Sequence, residues 1–182
     1  MSINITLLNG ISDIAAKDWD ALFATPPGMR PIDPFTTHRF LLALDQSGST
    51  GKGTGWQTRP LVLKDGDTLL AALPLYVKSH SQGEYIFDHG WAQAFERAGG
   101  NYYPKLQATV PFTPATGARF LGPEKYRAPL LDAAIALTEN NGLSSLHITF
   151  CTPDEADALA GHHGTLHRIT QQFHWENRKY PD

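Results

Sequence analysis

The stretch QTRPLVLKDGDTLLAALPLYV, residues 57–77, decides how this chain folds. Two apolar runs flank Lys64-Asp65-Gly66-Asp67. An Asp-Gly pair in that setting signals a tight hairpin, because glycine accepts the positive φ that such a turn requires. Strands are therefore expected near 57–63 and 68–77. Upstream, residues 3–8 read as a strand and 14–24 as a helix, with Trp19, Leu22 and Phe23 at i, i+3 and i+4 on its buried face. A second helix is expected over 36–46, capped by Thr36, with Phe35 and Phe40 at the hydrophobic-staple positions and Gly48 just past its end.

Downstream, a short strand at 84–87 leads into a helix from Asp88, its N-cap, to Arg97. A strand at 104–110 follows. A helix over 129–140 is opened by Pro129 and closed by Asn141-Gly142. The strand at 145–150 places Leu146, Ile148 and Phe150 on one face and His147 on the other. Thr152-Pro153-Asp154-Glu155 forms a capping box for a short helix to about 160. Residues 165–175 alternate as a last strand. This order predicts a single α/β (α+β) domain over 1–182, with one mixed, largely antiparallel sheet flanked by helices.

Composition narrows the function classes. The chain has 182 residues, of which 41% are hydrophobic and 18% charged, which fits one domain with a sizeable core and excludes disorder. No apolar run is long enough to cross a bilayer, and MSINITLLNG lacks the pattern of a secretory signal. The one cysteine, Cys151, excludes an internal disulfide and any Cys-based zinc cluster, and it reads as an inert core thiol. A reducing cytoplasm is the expected setting. With a net charge of −3 and scattered Lys and Arg, general nucleic-acid binding is disfavoured. The run SGSTGKGTG, 47–55, reads as a flexible loop; it lacks the GxxxxGK[ST] spacing of a phosphate loop.

Three stretches hold candidate chemistry. In YVKSHSQGEYIFDHGW, 76–91, Tyr76, Lys78 and His80 share a face by period-two alternation. Glu84 can face His80 across a turn at Gly83, and a carboxylate–imidazole pair of that kind tunes a general base near neutral pH. The plainer alternative pairs Glu84 with Lys78 or Arg97 and puts the aromatics in a core. His80, Glu84, Asp88, His89, His147 and His174 are acceptable metal ligands, but their spacing matches no metal motif, so no metal is expected. His162-His163, in a Gly-flanked turn, reads as solvated.

In NYYPKLQATVPFTPATGAR, 101–119, a strand ends at Val110 in a Pro-Thr-Gly turn. Such a turn can expose amides as an anion nest, with Lys105 and Arg119 adding charge; a rigid connection with no ligand is the alternative. In QQFHWENRKY, 171–180, Phe173 shares a face with Trp175, read as core, while Gln172 and His174 line either a cleft or the polar face of an edge strand.

The runs P-L-Y-V-K-S-H-S-x-G-E-Y-x-F-D (74–88), W-A-x-A (91–94), Y-Y-P-K-L (102–106), V-P-F-T-P-x-T-G-x-R (110–119), S-S-x-H (144–147) and Q-F-H-W (172–175), with P-F-T-T-H-x-F-L-x-A-L-x-x-S-G (34–48), resemble the FemAB-like predicted N-acyltransferases, once labelled peptidoglycan-biosynthesis-like. Members of that family look like relatives of the GNAT acetyltransferase fold. They continue past Q-F-H-W into a second acyltransferase-like half and usually carry glycine where Lys179 stands. The chain thus resembles the first half of a tandem protein.

The resemblance implies transfer of an acyl or aminoacyl group to a small-molecule or peptide amine, with acyl-CoA (such as acetyl-CoA) or aminoacyl-tRNA as donor. Val110, Thr113, Thr116, Gly117 and Arg119 would hold an acyl-CoA, although the Q/R-x-x-G-x-G/A signature is not intact there. Glu84 would be the base, directly or through His80 or water. Tyr103 would be the proton donor and Lys105 an electrostatic partner. Tyr76, Lys78, Tyr85, Asp88, Trp91, Tyr102 and His174 would border the substrate. The alternative is a non-catalytic platform for a second acyltransferase-like domain or another copy.

Overall fold

The Asp-Gly pair makes the expected turn in a computed structural model whose described residues are 2–23, 33–86 and 88–179. Asp65 stands opposite Thr68, and Gly66 takes φ +57°. Each predicted strand, however, is two. Pro60 separates β2 (Trp56–Thr58) from β3 (Leu61–Asp65), and Pro74 separates β4 (Thr68–Leu73) from β5 (Leu75–Lys78). Proline removes a ladder donor and fixes φ, so each run bends there. The breaks lie side by side, since Leu61 opposes Leu73 and the Arg59 amide donates to the Leu75 carbonyl. The whole ribbon therefore passes from one sheet into another.

One sheet runs β1 (Ile3–Leu7), β3, β4, all antiparallel. The other runs β2, β5, β6 (Lys105–Ala108), β7 (Leu146–Ile148). Among the described residues only β6 and β7 pair in parallel. A parallel pair needs a crossover, supplied here by α4 (Arg127–Asn140). The sheet system is mixed and largely antiparallel, as expected, but split in two.

Both faces of the ribbon are covered, which explains its near-continuous apolar sequence. Leu61, Leu63, Leu73 and Leu75 pack with Leu106, Ala108 and the Leu130, Leu131 and Ala134 side chains of α4. On the other face Val62 and Ala72 meet Ile11, Trp19 and Leu41. The expected helix at 14–24 is instead α1 (Ala16–Asp20) between two 3₁₀ turns, Ile11–Asp13 and Ala21–Phe23, with residue 24 outside the described residues. Trp19 is buried, and its indole donates to the Thr36 carbonyl at 2.9 Å.

Helix α2 (His38–Gln46) is capped by Thr37, one residue later than expected, because Asp33 caps a separate turn over Pro34–Thr36. Phe35 and Phe40 still meet, with ring centroids 5.3 Å apart. The 47–55 loop is not loose. Asp45 accepts the Thr50 and Thr58 hydroxyls at 2.5 and 2.6 Å and ties the loop to β2.

Helix α3 (His89–Arg97) follows Asp88, whose side chain makes no capping bond. No strand forms over 84–86, and Phe87 lies outside the described residues. Helix α4 starts two residues before Pro129. Phe150 leaves the sheet at φ +54°, and α5 (Pro153–Leu159) carries the expected capping box. His162, expected to be solvated, stands 2.7 Å from Asp132 on α4. The strand expected at 165–175 is absent, and Trp175, expected in the core, is 73% exposed.

Glu155 clamps these layers. Besides closing its own capping box, its carboxylate accepts the Arg119 and Phe120 amides, both at 2.9 Å, and the Thr152 amide at 3.0 Å. It is wholly buried. Glu155→Ala leaves several buried donors unpaired and should lower the unfolding free energy by about 3 kcal/mol in urea titration. The exposed neighbour Asp157→Ala should change it little.

Candidate functional site

Along β6 and just past it, alternation turns Lys105, Gln107 and Thr109 inward together, and all three are buried. A polar row on a central strand must find partners. Lys105 Nζ donates to Glu84 at 2.8 Å, Asp88 at 2.7 Å and Ser81 Oγ at 3.1 Å. Ser81 Oγ in turn lies 2.6 Å from the Tyr103 hydroxyl, and the Tyr102 hydroxyl donates to Asp88 at 2.8 Å. With its amide turned to satisfy both ends, Gln107 donates to the two Glu84 oxygens at 3.1 and 3.2 Å and accepts from Thr149. One buried ammonium thus joins two carboxylates that arrive from the loop before α3. The Asp88 Oδ1 atom has no protein partner among the described residues.

Lys78 forms the second cationic corner. Its Nζ sits 3.4 Å from the centre of a Trp56 ring, 3.2 Å from the Gly55 carbonyl and 3.8 Å from Glu84. Burial pushes its ammonium down to about 7, against the pull of Glu84. Burial raises the Glu84 carboxyl, and the Lys105 and Lys78 charges oppose that rise without cancelling it. Asp88 feels burial too, yet hydrogen bonds led by Lys105 hold it below its ordinary value. His147, beside Gln107 in register, is pushed down to about 4 by burial and by the Lys105 charge, so it is neutral at physiological pH.

Several expected placements change. His80 does not meet Glu84: its Nε2 lies 3.1 Å from the Thr54 carbonyl, and its Nδ1 accepts the Gln82 amide at 3.2 Å. Gly55, at φ +78°, is packed so closely that a Cβ there would lie 2.0 Å from the His80 ring. His80 is therefore a loop fastener. Tyr76 is core, edge-on to Trp56 with ring centroids 5.6 Å apart, and burial raises its hydroxyl. Val110 is buried.

Arg119 is sealed inside, donating to the Thr149 and Ala115 carbonyls at 2.9 and 2.8 Å. Gly117 gives its amide to Phe150, and Phe112 gives its own to Gly83. Thr113 and Thr116 stay nearer the surface. Near the Pro-Thr-Gly turn, the Arg119 guanidinium and the Phe112 and Gly117 amides are thus already engaged within the protein. Trp91 lies exposed on α3.

Two of the quoted segments do converge on a hollow. A cleft of about 360 Å³ is lined by Tyr85 and Ile86 from one, by Pro114 from the other, by Phe150, and by the chain from Arg168 through Thr170 to His174. The Gln172 side chain ties this chain to the Pro114 carbonyl at 2.6 Å. Tyr85 and Phe150 take φ +56° and +54°, conformations that cost energy in non-glycine residues and collect at functional sites. The cleft lies just beyond the carboxyl end of β7 in the parallel pair, where ligands of open α/β sheets bind. Glu84 stands behind this wall, immediately before Tyr85 in the chain.

Sequence reasoning did not single out Ser81, Gln107 or Thr149. The polar alternation Lys105-x-Gln107-x-Thr109 in a run otherwise reading as a buried strand was the available signal. Among the described residues no group of His, Cys, Asp and Glu is arranged to hold a metal, and no helix is long and apolar enough to cross a membrane.

The sequence profile of the FemAB-like family, described as peptidoglycan biosynthesis/recognition, matches residues 10–182. The fold is similar to that of a ribosomal-protein-alanine N-acetyltransferase from Brucella melitensis biovar Abortus 2308, with TM-score 0.52 and 12% identity over 96% of this chain and 100% of that one. It is also similar to a GCN5-related N-acetyltransferase from Ralstonia eutropha JMP134, with TM-score 0.50 and 15% identity over 96% and 99%. The fold is therefore GNAT-like. No curated protein matches the chain.

Lys105→Met leaves two buried carboxylates without their shared cation and should cost about 4 kcal/mol of stability in denaturant unfolding. For Lys78 the sign follows from its low folded value, near 7, against the ordinary 10.5. Between these values the unfolded chain binds the extra proton, so its removal favours the folded state. The stability of the wild type relative to Lys78→Met should rise from pH 7 toward pH 10, as followed by urea midpoints.

Proposed function

The chain belongs to the FemAB-like family, and on that footing we propose that it is an N-acyltransferase domain that moves an acyl or aminoacyl group onto an amine held in the cleft beyond β7. The observation that carries this reading is the cleft itself. It opens at the carboxyl end of β7 in the parallel pair, and two strained aromatic residues, Tyr85 and Phe150, help form its walls.

Acyl transfer to an amine requires removal of an ammonium proton and stabilisation of a tetrahedral oxyanion. His174 is the imidazole on the cleft and suits the first task; Arg168 brings positive charge for the second. Tyr85 borders the bound amine. Glu84, Lys105 and Asp88 act one layer below by fixing the Glu84–Tyr85 wall, and the Ser81–Tyr103 hydroxyl pair carries their hydrogen-bond chain outward.

The donor is an acyl-CoA or an aminoacyl ester such as aminoacyl-tRNA. Because Arg119 is buried and the Gly117 amide is already bonded, the 113–119 turn offers a pyrophosphate neither that guanidinium nor that amide. A donor entering the cleft meets Arg168 and His174 instead. A second reading, a recognition platform for another acyltransferase-like domain, is favoured by the exposed Ile169 and Phe173 beside the cleft.

Acetyl-CoA and an aminoacylated tRNA, each titrated into the full chain, test the reading. At least one should raise the melting temperature in proportion to the logarithm of its concentration. His174→Ala should then lower transfer to an amine acceptor about 100-fold or more, with the melting temperature unchanged. Absence of a shift with both donors would remove the acyltransferase reading and leave the platform.

A further inference from the structure

We propose that the folded chain condenses the Lys105 ammonium with the Glu84 carboxylate into an internal amide bond, with Asp88 carrying the protons. Lys105 Nζ lies 2.8 Å from Glu84 Oε2, and neither side chain has any exposed surface. The fold therefore holds an amine against a carboxyl in a dry interior, the setting in which a slow bimolecular reaction becomes an intramolecular one. Distance alone describes any ion pair. Four further features set this one apart.

First, a second carboxylate touches the same nitrogen. Asp88 Oδ2 is 2.7 Å from Nζ, and Asp88 Oδ1 has no protein partner among the described residues, so it is open to a proton. Second, both oxygens of Glu84 face the Gln107 amide, at 3.1 and 3.2 Å with that amide turned to satisfy its neighbours. Donors aimed at a carboxyl stabilise the oxyanion that forms when its carbon is attacked. Third, Lys78 places another cationic side chain 3.8 Å from Glu84 Oε1. Fourth, burial holds the Glu84 carboxyl above its ordinary value against the pull of both lysines. Asp88 is buried too, yet hydrogen bonds led by Lys105 hold it below. Glu84 is thus the group that takes up a proton and becomes electrophilic, while Asp88 stays a base.

Lys105 first passes one proton to Glu84 across their hydrogen bond, leaving an amine and a carboxylic acid. The Nζ lone pair attacks the Glu84 carboxyl carbon, and an electron pair moves onto an oxygen held by Gln107. Asp88 takes a proton from the nitrogen and returns it to the carboxyl hydroxyl. The oxyanion collapses, one C–O bond breaks and water leaves. An N–C bond has formed, and no oxidant or co-reactant is consumed. The product keeps one N–H for Asp88. Burying an ion pair is costly, and the reaction replaces it with a neutral amide. It also closes a covalent ring through residues 84–105, fastening the wall beside Tyr85 in a chain whose single cysteine makes no disulfide.

Intact mass spectrometry of the denatured full chain should give a mass one water below the sequence value. Trypsin should leave residues 79–97 joined to residues 98–119, with no cleavage after Lys105. Lys105→Arg and Glu84→Ala should each restore the full mass. Asp88→Asn, with an unchanged far-UV spectrum, should slow the condensation by at least about tenfold. The first two measurements use the wild type, so they decide the matter even where a variant fails to fold.

A full sequence mass after prolonged incubation of the folded wild type overturns the proposal. So does a loss of water that maps to Asp65-Gly66 as a cyclic imide, a cross-link to Asp88 instead of Glu84, or condensation at the wild-type rate in Asp88→Asn.

Discussion

The ammonium of Lys105 is the point on which the lower half of the structure depends. It lies on an inner strand of its sheet, and it draws Glu84 and Asp88 inward from a segment that has no helix or strand of its own. This charged contact with β6 adds to the neutral bonds that hold the same loop, from His80 to the Thr54 carbonyl and from the Phe112 amide to Gly83. Burying these charges is costly in isolation; it becomes tolerable because each carboxylate gains several donors at once. The position of α3, which begins directly after Asp88, follows from the same contact. So does the wall that Tyr85 and Ile86 present to the cleft.

This arrangement separates two jobs that a sequence reading merges. Glu84 looks like a general base because it sits among histidines and tyrosines in the chain. In three dimensions its neighbours are two lysines and a glutamine, and its place is beneath the surface. The residues bordering the hollow are instead Tyr85, Phe150, Arg168 and His174. An interior charge network that fixes a wall is how a rigid scaffold positions loops.

Some local signals in the chain were dependable, whereas others, such as the caps expected at Thr36 and Asp88, were not. The Gly66 turn, the Thr152–Glu155 capping box and the packing of Leu146 and Ile148 were legible because each is decided within a few residues. The GNAT-like order of elements was legible through the family resemblance. Pro60 and Pro74 were read through as parts of continuous strands; that they fall opposite each other depends on hairpin register, and that alignment splits the sheet. His80 was misplaced because its partner, the Thr54 carbonyl, has no sequence signature. Trp175 and Phe173 were assigned to a strand by alternation alone, and alternation does not say whether a neighbouring strand is present.

The paired proline bend also limits how this chain can vary. Residues 56–78 form one ribbon that contributes to both sheets, so its length is shared between them. Insertion or loss of a single residue between Thr68 and Pro74 would turn the apolar faces of β4 around and also move Pro74 out of line with Pro60. Natural variants of this fold should therefore accommodate length changes in the loops before Trp56 or after Lys78, while the ribbon between them keeps a constant number of residues.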